Sequence, residues 1–320
     1  MFVSIVSIIF PILVLVAGLA LLVFSSDSAV EHSVSIATAL GASPIIIGLV
    51  LVSIGTDLPE VVNSILTSQI GHGDINIGDS LGSILAQITL VLGLVPFFVS
   101  KFEVNKKEVI IVGATQLLSI ILVLAVVEKG YITRLNGLFL IVSWVLLMLI
   151  VNNFTNNKNR SLEKIVSQSD KSYFYHFRRA AIGFFGVAIG AYFVIQSVIA
   201  LSEVFDIPEY TVSFFAVAIG TSLPELFVNV AAAKKKQYKL VIGNTLGSCI
   251  FDATFSIGIG PLFYPISVSV DLVMITGLSA LIGSLLVILT LALKGKVDRK
   301  IGLFFVSIYL LPYYTLLYIY

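Results

Sequence analysis

The sequence predicts an all-α polytopic membrane protein of ten transmembrane helices, built as two inverted five-helix repeats with helices 2 and 7 broken. An apolar composition, ten evenly spread apolar runs and a phrase written twice lead to that prediction. Of 320 residues 58% are hydrophobic and 12% charged, and the mean hydropathy is +1.06. A soluble domain carries about 25% charged residues, so water could not wet this surface. The net charge of +1 is segregated along the chain and points to no nucleic-acid partner. Cys249, the only cysteine, can make no internal disulfide and reads as a packing residue.

A helix needs about 20 apolar residues to cross the hydrocarbon core. Runs of that kind fall near 2–25, 43–69, 77–99, 107–127, 133–152, 177–202, 210–234, 240–263, 269–293 and 301–319. The first has no basic stretch before it and outlasts the apolar part of a cleaved leader, so it reads as a span. Only 153–176 is rich in Asn, Ser and Lys, which divides the chain into a first repeat (1–152), a linker (153–176) and a second repeat (177–320). With the N-terminus outside, 17 of the 19 Lys and Arg residues lie on the inner side, leaving Lys129 and Arg134 outside. Positive charge stays in the cytoplasm. Both termini are therefore expected outside the plasma membrane, with the linker cytoplasmic. Five spans is an odd number, so the second half enters upside down relative to the first.

The repeated phrase is Ile54-Gly55-Thr56-Asp57-Leu58-Pro59-Glu60, which returns as Ile219-Gly220-Thr221-Ser222-Leu223-Pro224-Glu225. Gly78-Asp79-Ser80-Leu81-Gly82-Ser83 returns as Gly243-Asn244-Thr245-Leu246-Gly247-Ser248, at the same offset of 165 (219 − 54 and 243 − 78). Proline lacks an N–H and clashes with the carbonyl four residues back, so Pro59 and Pro224 are expected to free the carbonyls of Gly55 and Gly220. Thr56 and Thr221 add hydroxyls, and Glu60 and Glu225 add charge. All are hard oxygen donors, suited to sodium, calcium or magnesium. A spacing of four puts Asp79, Ser83 and Gln87 on one helical face, matched by Asn244, Ser248 and Asp252. The apolar segments or their edges hold Asp57, Glu60, Asp79, Glu225 and Asp252, with Lys and Arg found only at the ends of the spans and none in their interiors. Unpaired in lipid, that set would cost on the order of 15 kcal/mol, so a cation pathway is expected.

Blander roles stay open for several positions. Asp79 could cap a helix, Asp57 could face a water-filled entry, and Ser83 and Ser248 could be helix-packing residues. His72 and His176 fall in predicted loops, and Asp74, Asp271 and Glu203 read as solvated. Gly71-His72-Gly73-Asp74 matches a string of intramembrane aspartyl proteases, but it lies between spans and the chain has no Tyr-Asp partner. An enzyme is therefore not expected. A cation channel is the rival from another class, and inverted halves with broken helices favour a transporter over it.

The paired Gly-Thr-x-Leu-Pro-Glu motifs, each followed by Gly-x-x-x-Gly-Ser, resemble the two alpha repeats of the calcium/cation antiporter superfamily, most closely its prokaryotic sodium/calcium exchangers. The motifs cover roughly 46–90 and 211–255. The resemblance implies antiport of Ca2+ against Na+ by alternating access, with no cofactor beyond the transported ions and no partners beyond the bilayer and inorganic cations. It implies a core of spans 2, 3, 7 and 8, across which spans 1 and 6 slide. Glu60 and Glu225 match the family's calcium ligands. Thr56 and Thr221 would add oxygen, the carbonyls of Ser53 and Ala218 would help bind sodium, and Asp252 matches the acidic residue of span 8. Asp57 departs from the usual serine, kept at Ser222. Asp79 departs from the usual asparagine, kept at Asn244, and Gln87 replaces a shorter side chain. At Asp57 a proton could replace sodium, so antiport of Ca2+ or another divalent cation against H+ is the alternative. Against it, Gly82 and Gly247 stand where calcium/proton exchangers carry glutamate.

Overall fold

The computed structural model describes residues 5–40, 44–156, 173–205, 218–310 and 312. In lipid each backbone N–H must bond within its own segment, and this apolar chain meets that demand with helices. We number them α1 (Ile5–Leu40), α2 (Pro44–Ile47, then a π-helical turn Gly48–Val52, then Ser53–Thr56), α3 (Leu58–Gln69), α4 (Gly73–Val99), α5 (Lys106–Val127), α6 (Arg134–Asn156), α7 (Tyr173–Phe205), α8 (Ala218–Thr221), α9 (Leu223–Lys234), α10 (Tyr238–Phe263), α11 (Val270–Lys294) and α12 (Arg299–Tyr309). Among the described residues α4, α5, α6, α10 and α11 are long and apolar enough to cross a membrane, and the pair α2–α3, bent by 47°, makes a sixth. The protein is a multi-pass membrane protein.

Four short strands join the helix ends: β1 (Lys101–Glu103), β2 (Tyr131–Ile132), β3 (Ile266–Ser267) and β4 (Lys296–Asp298). β1 pairs antiparallel with β4, with Phe102 opposite Val297, and β2 pairs antiparallel with β3. The element starts repeat at the offset of the motifs. α3 and α9 begin at 58 and 223, α4 and α10 at 73 and 238, β1 and β3 at 101 and 266, β2 and β4 at 131 and 296. Each difference is 165.

Close backbone contacts follow the same rule. A Cβ on Gly302 would lie 2.4 Å from the Gly93 carbonyl oxygen, and one on Gly137 would lie 2.6 Å from that of Gly258. Adding 165 to 93 gives 258, and adding it to 137 gives 302, so the two contacts are one contact with the halves exchanged. The β1–β4 and β2–β3 strand pairs exchange in the same way, with registers that differ by one residue.

α4 and α10 form the centre, with 72% and 78% of their apolar windows buried, against 44%, 28% and 44% for α5, α6 and α11. α2 crosses α10 where Gly243 and Gly247 remove side chains. A Cβ there would meet the Ile45 carbonyl oxygen at 2.4 Å or the Leu49 Cα at 2.6 Å. Small residues let helix backbones approach this closely. α1 packs mainly along α7.

The expected boundaries need correcting. α1 continues to Leu40, well beyond the expected end at 25, because no proline or glycine stops it after Gly18. Helix also covers 153–156 and 173–176 of the expected linker, which puts His176 on α7 and not in a loop. The rest of the linker, residues 206–217 of the expected seventh span and its approach, and all of 313–319 lie outside the described residues. Asp74 is not a solvated loop residue. It sits in the first turn of α4 and accepts hydrogen bonds from Ser269 N and Ser269 Oγ, each 2.6 Å, tying that turn to the start of α11.

Candidate cation-binding site

The bend between α2 and α3 falls at Asp57, and Pro59 occupies the first turn of the new helix, where a missing N–H is tolerated. Pro224 does the same after Ser222 at the start of α9. Each proline thus begins a helix instead of interrupting one, a different route to the break expected from the sequence. The first turns carry Glu60 and Glu225, and helix N-termini favour negative charge. A π-helical turn in α4 (Ala86–Val91) carries Gln87, and one in α10 (Asp252–Ser256) carries Asp252. Such turns add a residue to the helix and re-aim side chains.

All fourteen candidates are buried. Ser53, Thr56, Asp57, Ser83, Gln87, Ala218, Thr221, Glu225, Asn244, Ser248 and Asp252 are 0% exposed, and Glu60, Asp79 and Ser222 are 1% exposed. The carboxyl groups of Asp57, Glu60, Glu225 and Asp252 lie close enough to act on one another electrostatically. The set then separates into two kinds.

The first kind has unanswered oxygens. Both carboxylate oxygens of Asp57, Glu60 and Glu225 lack a hydrogen-bond partner within 3.5 Å among the described residues, with the Asp57 and Thr56 side chains beside Glu225, and Ser222 Oγ, Ser248 Oγ and Asn244 Oδ1 lack one too. A buried carboxylate without a donor is costly. With Lys and Arg confined to the helix ends, a cation would answer these oxygens. Among the described residues no three His, Cys, Asp or Glu side chains group at metal-holding spacing, so hydroxyl, amide and carbonyl oxygens would have to complete the shell. Hard cations accept that mixture.

The second kind is internally bonded. Asp252 accepts from Gln87 Nε2 at 3.0 Å and from Ser256 Oγ at 3.3 Å. Gln87 and Asp252 are 165 positions apart, so this bond joins two equivalent positions. Asp79 accepts from Asn63 Nδ2 at 2.5 Å and from Thr221 Oγ1 at 3.2 Å, and Thr221 Oγ1 also lies 3.0 Å from Ser83 Oγ. Asp79 is seven residues into its element, so the capping alternative fails. Nor are the proposed carbonyls orphaned. Ser53 O accepts from Asp57 N at 2.9 Å and Thr56 Oγ1 at 3.2 Å, while Ala218 O accepts from Ser222 N at 3.1 Å and Thr221 Oγ1 at 3.2 Å.

Sequence reasoning missed Asn63, Asn229 and Ser256. Asn229 donates to Thr245 Oγ1 at 2.9 Å and accepts from Asn244 Nδ2 at 3.0 Å. Asn63 and Asn229 stand three and four residues after the motif glutamates, the spacing that shares a helical face, and that signal would have found them. Cys249 packs as expected, its Sγ 3.6 Å from the Ile84 carbonyl oxygen. A cavity of about 260 Å³ between α2 and α6, lined by Leu49, Trp144 and Met148 among others, holds none of the acidic residues.

Broken helices around buried oxygens, in a chain that traverses the membrane several times, fit an ion transporter of the membrane. The chain belongs to the sodium/calcium exchanger protein family, whose profile matches residues 10–152 and 179–318. An uncharacterized membrane protein of Methanocaldococcus jannaschii is 30% identical over 299 residues, covering 92% of this chain and 94% of its own length. The sodium/calcium exchanger MaX1 of Methanosarcina acetivorans is 28% identical over 352 positions, covering 96% and 98%. A solved structure of the sodium-calcium exchanger NCX_Mj soaked with Na+ and Sr2+ matches with a TM-score of 0.77 at 29% identity, covering 95% of this chain and 97% of that one.

Proposed function

We propose that the protein is a secondary active antiporter that exchanges Ca2+ for Na+ across the plasma membrane by alternating access. The observation that carries this reading is six buried carboxylate oxygens, on Asp57, Glu60 and Glu225, without a partner among the described residues. One divalent ion or several monovalent ions can neutralise the same carboxylates, and the two kinds cannot occupy them together. An empty, fully charged site resists closing into a dry state, which couples the two fluxes. Glu60 and Glu225 are the calcium ligands in this reading, helped by Thr56, Thr221 and Asp57. Ser53, Ala218, Ser222, Ser248 and Asn244 serve sodium. Asp252 with Gln87, and Asp79 and Ser83 through Thr221, hold the oxygens in place and exchange their present hydrogen bonds for ions during the cycle.

The architecture that goes with this function is ten spans in two inverted halves, 1–152 and 177–320, around a cytoplasmic linker within 153–176, with both termini outside. The exchanged glycine contacts and strand ladders support a two-fold axis. Contacts between helix ends support the sidedness. Lys106 Nζ donates to Leu293 O at 2.7 Å and Lys239 Nζ approaches Glu108 Oε1 at 3.3 Å, joining segments assigned to the inner face. Asp74–Ser269 and Arg134–Phe263 join segments assigned to the outer face.

Uptake of radioactive calcium into vesicles loaded with sodium tests the proposal. A sodium gradient is expected to drive uptake and a proton gradient is not. Uptake driven by a proton gradient alone would replace sodium with H+ as the coupling ion, and passage of calcium without counter-ion would make the protein a channel.

A further inference from the structure

Away from the carboxylates, α1 and α7 bring two histidines together. A Cβ on Gly183 would lie 2.7 Å from Ala29 N, and one on Gly186 would lie 2.3 Å from Ser25 Oγ, so these glycines set the helices at short range. Ser25, Ala29 and His32 follow each other at four and three residues on one face of α1. Gly186, Gly183 and His176 follow at three and seven on one face of α7. The close approach carries forward to the histidines, where His32 Nδ1 lies 3.0 Å from His176 Nδ1. His32 is 9% exposed. Tyr175 packs edge-on against both rings, with centroids at 5.7 Å and 5.4 Å, and is itself held by Arg179 Nε, 3.3 Å from its hydroxyl.

We propose that His32 and His176 form a bidentate site for a borderline transition-metal cation such as Zn2+ or Cu2+, separate from the transported ions. Two Nδ1 atoms facing each other present converging lone pairs once both rings take the tautomer with the proton on Nε2. A tetrahedral zinc with Zn–N distances of 2.0–2.1 Å separates two ligand nitrogens by about 3.3 Å, so the rings need open by only a few tenths of an ångström. Imidazole selects Zn2+ and Cu2+, whereas Ca2+ and Na+ prefer oxygen. Chemistry therefore divides the two sites. Water or a small anion completes the metal's coordination, and the metal clamps α1 to α7.

The test uses full-length protein freed of any histidine tag. Titration calorimetry is expected to give one Zn2+ per chain that a large excess of Ca2+ does not displace, and bound Cu2+ is expected to show two nitrogen ligands by electron paramagnetic resonance. His32→Ala should weaken zinc binding at least tenfold, and so should His176→Gln, which keeps an interhelical hydrogen bond but loses a metal nitrogen. Glu60→Gln should leave it unchanged. Zinc binding that survives both histidine changes, or that is lost in Glu60→Gln, overturns the proposal, as does the absence of stoichiometric binding. None of these results depends on whether the protein exchanges calcium for sodium.

Discussion

The two halves of the centre share a backbone and differ in charge. Both have a helix broken before Leu-Pro-Glu, a threonine at the break and a π-helical turn in the next long helix. The first half adds Asp57 and Asp79 where the second has Ser222 and Asn244, and the second adds Asp252 where the first has Gln87. In the proposed exchange, what the halves share holds a cation at all, and what separates them sets which cation is held, and how many.

The largest effect is expected at a shared position. Glu60→Gln and Glu225→Gln each remove one of the symmetric charges while keeping shape. Both are expected to reduce sodium-driven calcium uptake to background in reconstituted vesicles. Full activity in either variant would detach the exchange from this site.

At the non-shared position, Asp57→Ser makes the first half match the second. It removes two orphaned carboxylate oxygens and is expected to preserve exchange while changing the ratio of calcium to sodium affinity by roughly tenfold, about 1.4 kcal/mol. Unchanged competition curves would mean that Asp57 takes no part in ion choice.

Sequence and structure divide here along physical lines. The Gly-Thr-x-Leu-Pro-Glu phrases were legible because proline and charge have few uses inside apolar segments. The 165-residue offset of those phrases recurs in the element starts of the structure, from α3 to β4, and the strands themselves carried no signal. Partner choice was not legible. The bond that joins Asn63 to Asp79 depends on helix crossing and not on spacing. Asp74 looked solvated because its partner, Ser269, is 195 positions away. Helix ends were misjudged where no breaker marks them, as in α1.

Two predictions concern the scaffold. Gly302→Ala and Gly137→Ala insert the same methyl group at equivalent contacts, 2.4 Å and 2.6 Å from a carbonyl oxygen. Each should destabilise the protein by about 1–3 kcal/mol in thermal unfolding, because the obstacle is backbone and cannot swing aside. A large loss from one and none from the other would break the two-fold relation. Asp74→Ala should cost roughly 1–3 kcal/mol through its two lost hydrogen bonds. It should leave the exchange rate intact, since Asp74 belongs to the inter-helix tie and not to the site.

The smallest effect compares the caps of α6 and α12, whose residues Thr133 and Asp298 are again 165 apart. Thr133 Oγ1 accepts from Asn136 N at 3.1 Å, and Asn136 Oδ1 accepts in return from Thr133 N at 3.0 Å. This reciprocal cap carries no titrating group. Asp298 Oδ1 instead accepts from Lys300 N and Ile301 N, each 3.1 Å, with Lys296 Nζ at 3.0 Å from Oδ2. The Ile301 N–H, followed by Lys296, holds the Asp298 carboxyl below its ordinary range. A depressed folded-state value means that the cap's contribution is complete above the unfolded carboxylate's pKa of about 3.9 and fades as pH falls through the lower, folded value. The melting difference between wild type and Asp298→Asn should therefore shrink below pH ~4, while that for Thr133→Ala stays constant. A constant difference for both would show that Asp298 acts through its shape alone.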